Sequence, residues 1–170
     1  MKTSTFFKIA APVLAAGSLM LSGGPAMADA GSSSSVLISY SVPTIAEIAM
    51  TGSPTLTLLV PAAGAVSTAV SDTSTVTYAV TTNLTSQKIT AALASAMPTG
   101  LTLSITAAAP TGATGTTTAL ALTTTPQSIV TGIANVNASS LAMGLTLASD
   151  ATAVPATSPT ATVDFTITSG

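Results

Sequence analysis

The side chains able to do acid-base or ligand chemistry are few: five carboxylates, three lysines or arginines, and no His or Cys in 170 residues. Glu47, Asp72, Asp150 and Asp164 lie in the body of the chain, and two of them at a suitable separation would make the acid and base of a glycosidase. Each also has a plainer reading. Asp72 sits in Ser71-Asp72-Thr73-Ser74 and Asp150 follows an apolar run, positions where a carboxylate caps backbone N–H groups of a turn. Asp164 alternates with Val163, Phe165 and Ile167 and so points to the opposite, solvent side of a strand. Lys88 could pair with Asp164 or Glu47 across a sheet edge, but a solvated charge that discourages edge-to-edge association is the favoured role.

No segment clusters the oxygens of a calcium loop. The absence of His and Cys excludes the usual zinc sites, Ser-His-Asp triads, cysteine nucleophiles and His-ligated haem. Tyr40, Tyr78 and Phe165 fall on apolar stripes and are expected to pack rather than to stack on sugars. Asn83-Leu84-Thr85 and Asn137-Ala138-Ser139 match the N-glycosylation pattern, which recurs by chance in a Thr-rich chain. The sequence therefore predicts no enzyme, no cofactor and no metal site.

The elements that would carry these residues follow a period of two. Val36, Ile38, Tyr40 and Val42 share a face, as do Leu56, Leu58 and Val60, then Val76, Tyr78 and Val80, then Ile89, Ala91 and Leu93. Leu101, Leu103 and Ile105 follow, then Leu120 and Leu122, the stripe Leu141, Met143, Leu145 and Leu147, and finally Val163, Phe165 and Ile167. The alternate positions are mostly Thr, Ser or Ala, and the branched Thr and Val favour the pleated backbone. The segment 129–133 has no clear period. Residues 91–97 read as a strand running into a loop, 134–141 as a loop with at most one helical turn, and 112–118 as an exposed low-complexity loop. Turns are marked by Thr51-Gly52-Ser53-Pro54, Pro61-Ala62-Ala63-Gly64, Met97-Pro98-Thr99-Gly100, Pro110-Thr111-Gly112 and the stretch from Pro155 to Pro159. Short strands at this spacing predict an all-β sandwich or barrel.

The first 28 residues have the layout of a secretory signal: Lys2 and Lys8, an apolar stretch from Ile9 to Leu21, and Ala26-Met27-Ala28 as the cleavage motif. Cleavage is expected before Asp29, or before Gly31 if Ala28-Asp29-Ala30 is used. The apolar stretch is shorter than a spanning helix, no Cys follows it for lipid attachment, and the C-terminal residues carry no apolar tail, so no membrane anchor is expected. Without the signal, Lys88 is the one cation against five carboxylates, a net of −4. One cation cannot neutralise a run of phosphates, which excludes nucleic acid and disfavours an anionic membrane surface.

The expected organisation is a signal at 1–28, a flexible leader and N-terminal strand at 29–42, and a sandwich domain at 43–170. Val36, Ile38, Tyr40 and Val42 form the one candidate site. A mobile, polar leader gains nothing from a bulky apolar stripe unless the stripe is buried, either in its own sheet or in a groove of a neighbouring subunit as a donated strand.

This layout resembles the major subunits of bacterial fimbriae that assemble by donor-strand complementation, in particular the cysteine-free alpha class of chaperone-usher pilins. The resemblance rests on the signal, the alternating extension, the apolar last strand Val163-Asp164-Phe165-Thr166-Ile167, and the segments Tyr78-Ala79-Val80-Thr81-Thr82-Asn83 and Lys88-Ile89-Thr90-Ala91. It implies an immunoglobulin-like sandwich, identical subunits as partners in an extracellular homopolymer, a periplasmic chaperone and an outer-membrane assembly protein, and an assembly role for Val36, Ile38, Tyr40 and Val42. The near absence of charge departs from typical pilins. The alternative is a monomeric secreted module that meets polysaccharide or ice through Thr-x-Thr pairs such as Thr55/Thr57 and Thr75/Thr77.

With no His and one cation, self-association is expected to be nearly flat between pH 5 and 8 and in moderate NaCl, because surface ion pairs contribute at most about 1 kcal/mol. Sedimentation across both series checks this; a sharp midpoint near pH 6, or dissociation by salt, would contradict it.

Overall fold

A computed structural model describes residues 33–154 and 159–170. The expected signal at 1–28, the expected leader through Ser32 and most of the Pro155–Pro159 stretch lie outside the described residues. Residues 41–170 form one compact unit; of the other unit, residues 33–40 are described.

The described residues contain no helix. They form nine strands, Ala46–Thr51 (β1), Val70–Thr82 (β2), Gln87–Leu93 (β3), Leu101–Ala107 (β4), Thr114–Gly115 (β5), Leu120–Ala121 (β6), Gln127–Ile133 (β7), Val136–Ser149 (β8) and Val163–Ser169 (β9). These make two antiparallel sheets, ordered β1-β2-β8-β4-β6 and β5-β7-β3-β9. The all-β sandwich is the class predicted.

The order of strands follows from nested pairing. β2 pairs with β8, β3 with β7 and β4 with β6, so the chain behaves as one long hairpin rolled into two sheets. That nesting is the arrangement of a jelly roll, with β1 and β9 added beside β2 and β3. The last strand, β9, pairs with β3. The roll turns its corner twice, at 83–86 between β2 and β3 and at 134–135 between β7 and β8. Ser86 and Asn135 adopt left-handed φ of 55° and 44° there, and the Asn135 N–H donates to the Leu84 carbonyl at 3.0 Å, tying one corner to the other.

Three irregularities explain where period two failed to predict the strands. In β7 the pairing with β3 slips on both sides of Ile89, so Ile129, Val130 and Ile133 are all buried although they do not alternate. In β8 two residues, Ser139 and Ser140, oppose Ala79, and Ser140 takes φ 57°; 136–149 is thus one 14-residue strand where a loop was expected over 134–141. In β2, Thr73–Thr75 bulge opposite Gly144. A side chain at 144 would collide with the Thr106 hydroxyl, which is why glycine stands there. The low-complexity stretch 112–118 also contributes to a sheet, through β5 and the Thr116 hydroxyl, which donates to the Ile129 carbonyl at 2.9 Å.

Leu56, Leu58 and Val60 form no strand, contrary to expectation. Gly52 leaves the β1–β2 ladder with φ 99° opposite the β2 bulge, and pairing with β2 stops there. Residues 52–69 return as a loop whose two arms are joined by the Ser67 hydroxyl donating to the Leu59 carbonyl at 2.8 Å. Leu56 still packs against the core, whereas Leu59 and Val60 are exposed.

Among the described residues the core fills the space between the sheets with Val, Ile, Leu, Ala and Met143 and one fully buried aromatic side chain, Tyr78. Its hydroxyl donates to the Ala108 carbonyl at 2.5 Å, fastening β2 to the end of β4. Burial pushes the Tyr78 phenol up to about 12. Tyr78→Phe should cost about 1–2 kcal/mol in urea unfolding, because the partly buried Ala108 carbonyl loses its hydroxyl donor. The raised phenol value keeps its contribution intact below pH ~10, the unfolded-state value, and removes it as pH rises toward 12. Wild type should therefore lose stability over that interval more steeply than Tyr78→Phe.

Candidate assembly surface

The four described carboxylates sit at separate places in the fold: Glu47 on β1, Asp72 in the β2 bulge, Asp150 after β8 and Asp164 on β9. Asp72 organises the β2 bulge: its Oδ1 accepts from the Ser74 N–H at 3.0 Å and the Thr75 N–H at 2.9 Å. The Thr75 hydroxyl and these two amides hold its carboxyl below the usual carboxylate range. Asp150 caps the turn after β8, accepting from the Thr152 N–H at 2.7 Å and its hydroxyl at 2.6 Å, and these bonds lower its carboxyl as well. Asp164 points outward on β9 and Glu47 outward on β1. Lys88 lies opposite Thr168, while Asp164 lies opposite Ala92 four residues further along the ladder, so the register does not make them partners. Among the described residues no three His, Cys, Asp or Glu come together as a metal site.

The Thr-x-Thr pairs do not build one array. Thr55 and Thr57 belong to the 52–69 loop, Thr75 to the bulge, and Thr77 to the ladder, between Thr51 and Ala142. Asn83 is engaged through both ends of its amide, and Asn137 lies exposed on β8.

The stripe Val36, Ile38, Tyr40 and Val42 is in no strand; residues 33–45 carry no sheet pairing at all. The four side chains are 84%, 77%, 88% and 72% exposed. Tyr40, expected to pack, is therefore an exposed aromatic, in contrast to buried Tyr78 and half-buried Phe165.

The sandwich offers edges of very different kinds. β5 and β6, which end one side of each sheet, are two residues long and present little to pair with. The other two ends are β1, of six residues, and β9, of seven, and these approach one another. β9 matches β3 without a register break from Val163 to Ser169, contains no proline, and is paired on one side only among the described residues. Its inward residues Val163, Phe165 and Ile167 are only half-buried although they pack on the core, as are Ile48 and Met50 of β1. An unbulged strand of this length lacks the devices by which sheets protect their edges, apart from the charge of Asp164.

Period-two reading found the stripe and the β9 apolar row. It did not find the free edge, which depends on β9 lying outside β3, a long-range choice no local pattern encodes. Nor did it single out Asn83, whose polar signal points to a sequon or a turn equally well.

No family model, no curated protein and no solved structure matches this chain.

Asp72→Ala should unfold at lower urea than wild type at pH 7. Because the folded-state carboxyl is lowered, its stabilisation is complete above the ordinary carboxylate value and is lost as pH falls through the folded one. The gap between the two proteins should close below pH ~4; a gap of constant size down to pH 2 would mean that the bulge does not need the carboxylate.

Proposed function

We propose that this chain is an exported structural subunit of an extracellular filament, polymerising by donating the segment Val36–Val42 to the free edge of β9 in the next copy. The observation that carries the reading is the apolar alternating stripe, exposed and unpaired, in a chain whose seven-residue β9 is paired on one side only among the described residues. The lengths agree: seven residues from Val36 to Val42 against seven in β9. Added beside β9, such a strand would satisfy backbone groups along that edge and bring alternate side chains onto the half-buried row of Val163, Phe165 and Ile167. The low charge of the chain fits repetition, since like charges would otherwise repel along a polymer. This role is one of assembly and assigns no catalysis, cofactor or membrane anchor. A chaperone and an outer-membrane assembly protein would be needed to the extent that the exposed stripe and open edge must be shielded before assembly.

Comparing Ile38→Asp and Tyr40→Asp with Ser39→Asp tests this. A carboxylate at 38 or 40 would have to be buried unpaired in the neighbour or keep the strand out, at several kcal/mol per junction. Ser39 faces the other way and should accept the same charge. Negative-stain microscopy should show filaments for wild type and Ser39→Asp and none for the other two. Filaments of normal length from Ile38→Asp would refute strand donation; a wild type that stays monomeric would favour a secreted binding module.

A further inference from the structure

We propose that Asn83 is a positioning residue for assembly, clamping the root of the donated segment to the end of β2. The inference rests on the strand-donation reading. The root is the three residues Pro43-Thr44-Ile45, between the exposed stripe and β1. The Asn83 carboxamide spans them: its Oδ1 accepts from the Ile45 N–H at 2.8 Å and its Nδ2 donates to the Pro43 carbonyl at 2.7 Å. The Ile45 carbonyl in turn accepts from the Thr82 hydroxyl at 3.0 Å and from the Asn83 N–H at 3.3 Å. Four hydrogen bonds thus converge on two root residues from two consecutive residues of β2 and its turn. Thr82 is itself buried, and its hydroxyl also accepts from the Leu84 N–H at 3.1 Å, which fixes its orientation.

Pro43 adds stiffness from the chain side. Its ring locks its own φ and confines Val42, the last residue of the stripe, to extended backbone. The clamp therefore begins where the donated segment ends. Among the described residues β1 is an edge strand whose ladder partner is β2, so a root without the clamp would let β1 peel from its first residue inward. A loosely held root would also spread the segment over many conformations, each lost when the strand docks. Holding the root removes part of that cost before association, the usual gain from pre-organisation.

This role belongs to the subunit that donates and has no counterpart in the one that accepts. The Ile38→Asp chain, unable to donate, serves as an acceptor of full length. Labelled Ile38→Asp chain is mixed with wild type or with Asn83→Ala, and the rate at which label enters assemblies is followed. The Asn83→Ala donor should capture it about tenfold more slowly, the size expected from losing two ordinary hydrogen bonds. Asn83→Asp, which keeps the acceptor for Ile45 N–H and loses the donor to Pro43, should fall between. Placing Asn83→Ala in the labelled acceptor instead should leave its capture by wild-type chains unchanged. Equal rates for both donors would overturn the proposal, and so would equal slowing in donor and acceptor, which marks a general weakening of the sandwich. A wild type that captures nothing removes strand donation itself, and this role falls with it.

Discussion

The β2–β8 ladder is the interaction on which the rest of the molecule hangs. These are the two longest strands, 13 and 14 residues, and each reaches the corner where the chain crosses to the other sheet. β1 attaches to the outer side of β2 and β4 to the outer side of β8, while the connections at 83–86 and 134–135 carry β3 and β7 into the facing layer as a pair. A core of small aliphatic side chains has little area per residue to bury, so its cohesion depends on close sheet-to-sheet approach. The ladder sets that approach by holding both corners in register.

The bulges adapt a regular ladder to this task. Asp72 stabilises two extra residues in β2, Gly144 makes room for the bulge on β8, and Ser140 accommodates the second slip further along. Each bulge increases local twist, and twist lets two sheets of small residues close over one another at their ends. Two of the acidic side chains that would first attract a search for catalysis, Asp72 and Asp150, are engaged by backbone N–H groups of the bulge and of the turn after β8.

The sequence made strands legible where the pleat was regular. β3, β4 and the second half of β2 alternate without interruption, and their buried residues Ile89, Ala91, Leu103, Ile105, Tyr78 and Val80 are those that periodicity selects. It was misleading where the pattern and the pairing parted. Leu56 and Leu58 alternate but have no partner, because Gly52 turns out of the ladder before them; Ile129 and Val130 are neighbours in sequence yet both buried, because β7 slips against β3. Side-chain alternation reports which face is apolar and nothing about which strand lies alongside. For the same reason the stripe at 36–42 could be recognised as a face needing cover, while the strand order that leaves β9 open, and the Asn83 contacts to Pro43 and Ile45, appear only in three dimensions.

The nested pairing also dictates how this chain must come together in time. Val70 meets Leu147 and Thr82 meets Val136, so the spine of the fold closes loops of dozens of residues, and β3 gains β9 only when the final seven-residue strand is present. Closing such loops before any contact rewards them is slow, and folds dominated by distant pairings reach the native state on the order of milliseconds to seconds. A chain emerging from its N-terminus therefore exposes one edge of β2 until β8 has followed, and one edge of β3 until β9 has followed. Kinetic vulnerability is thus inherent in the topology.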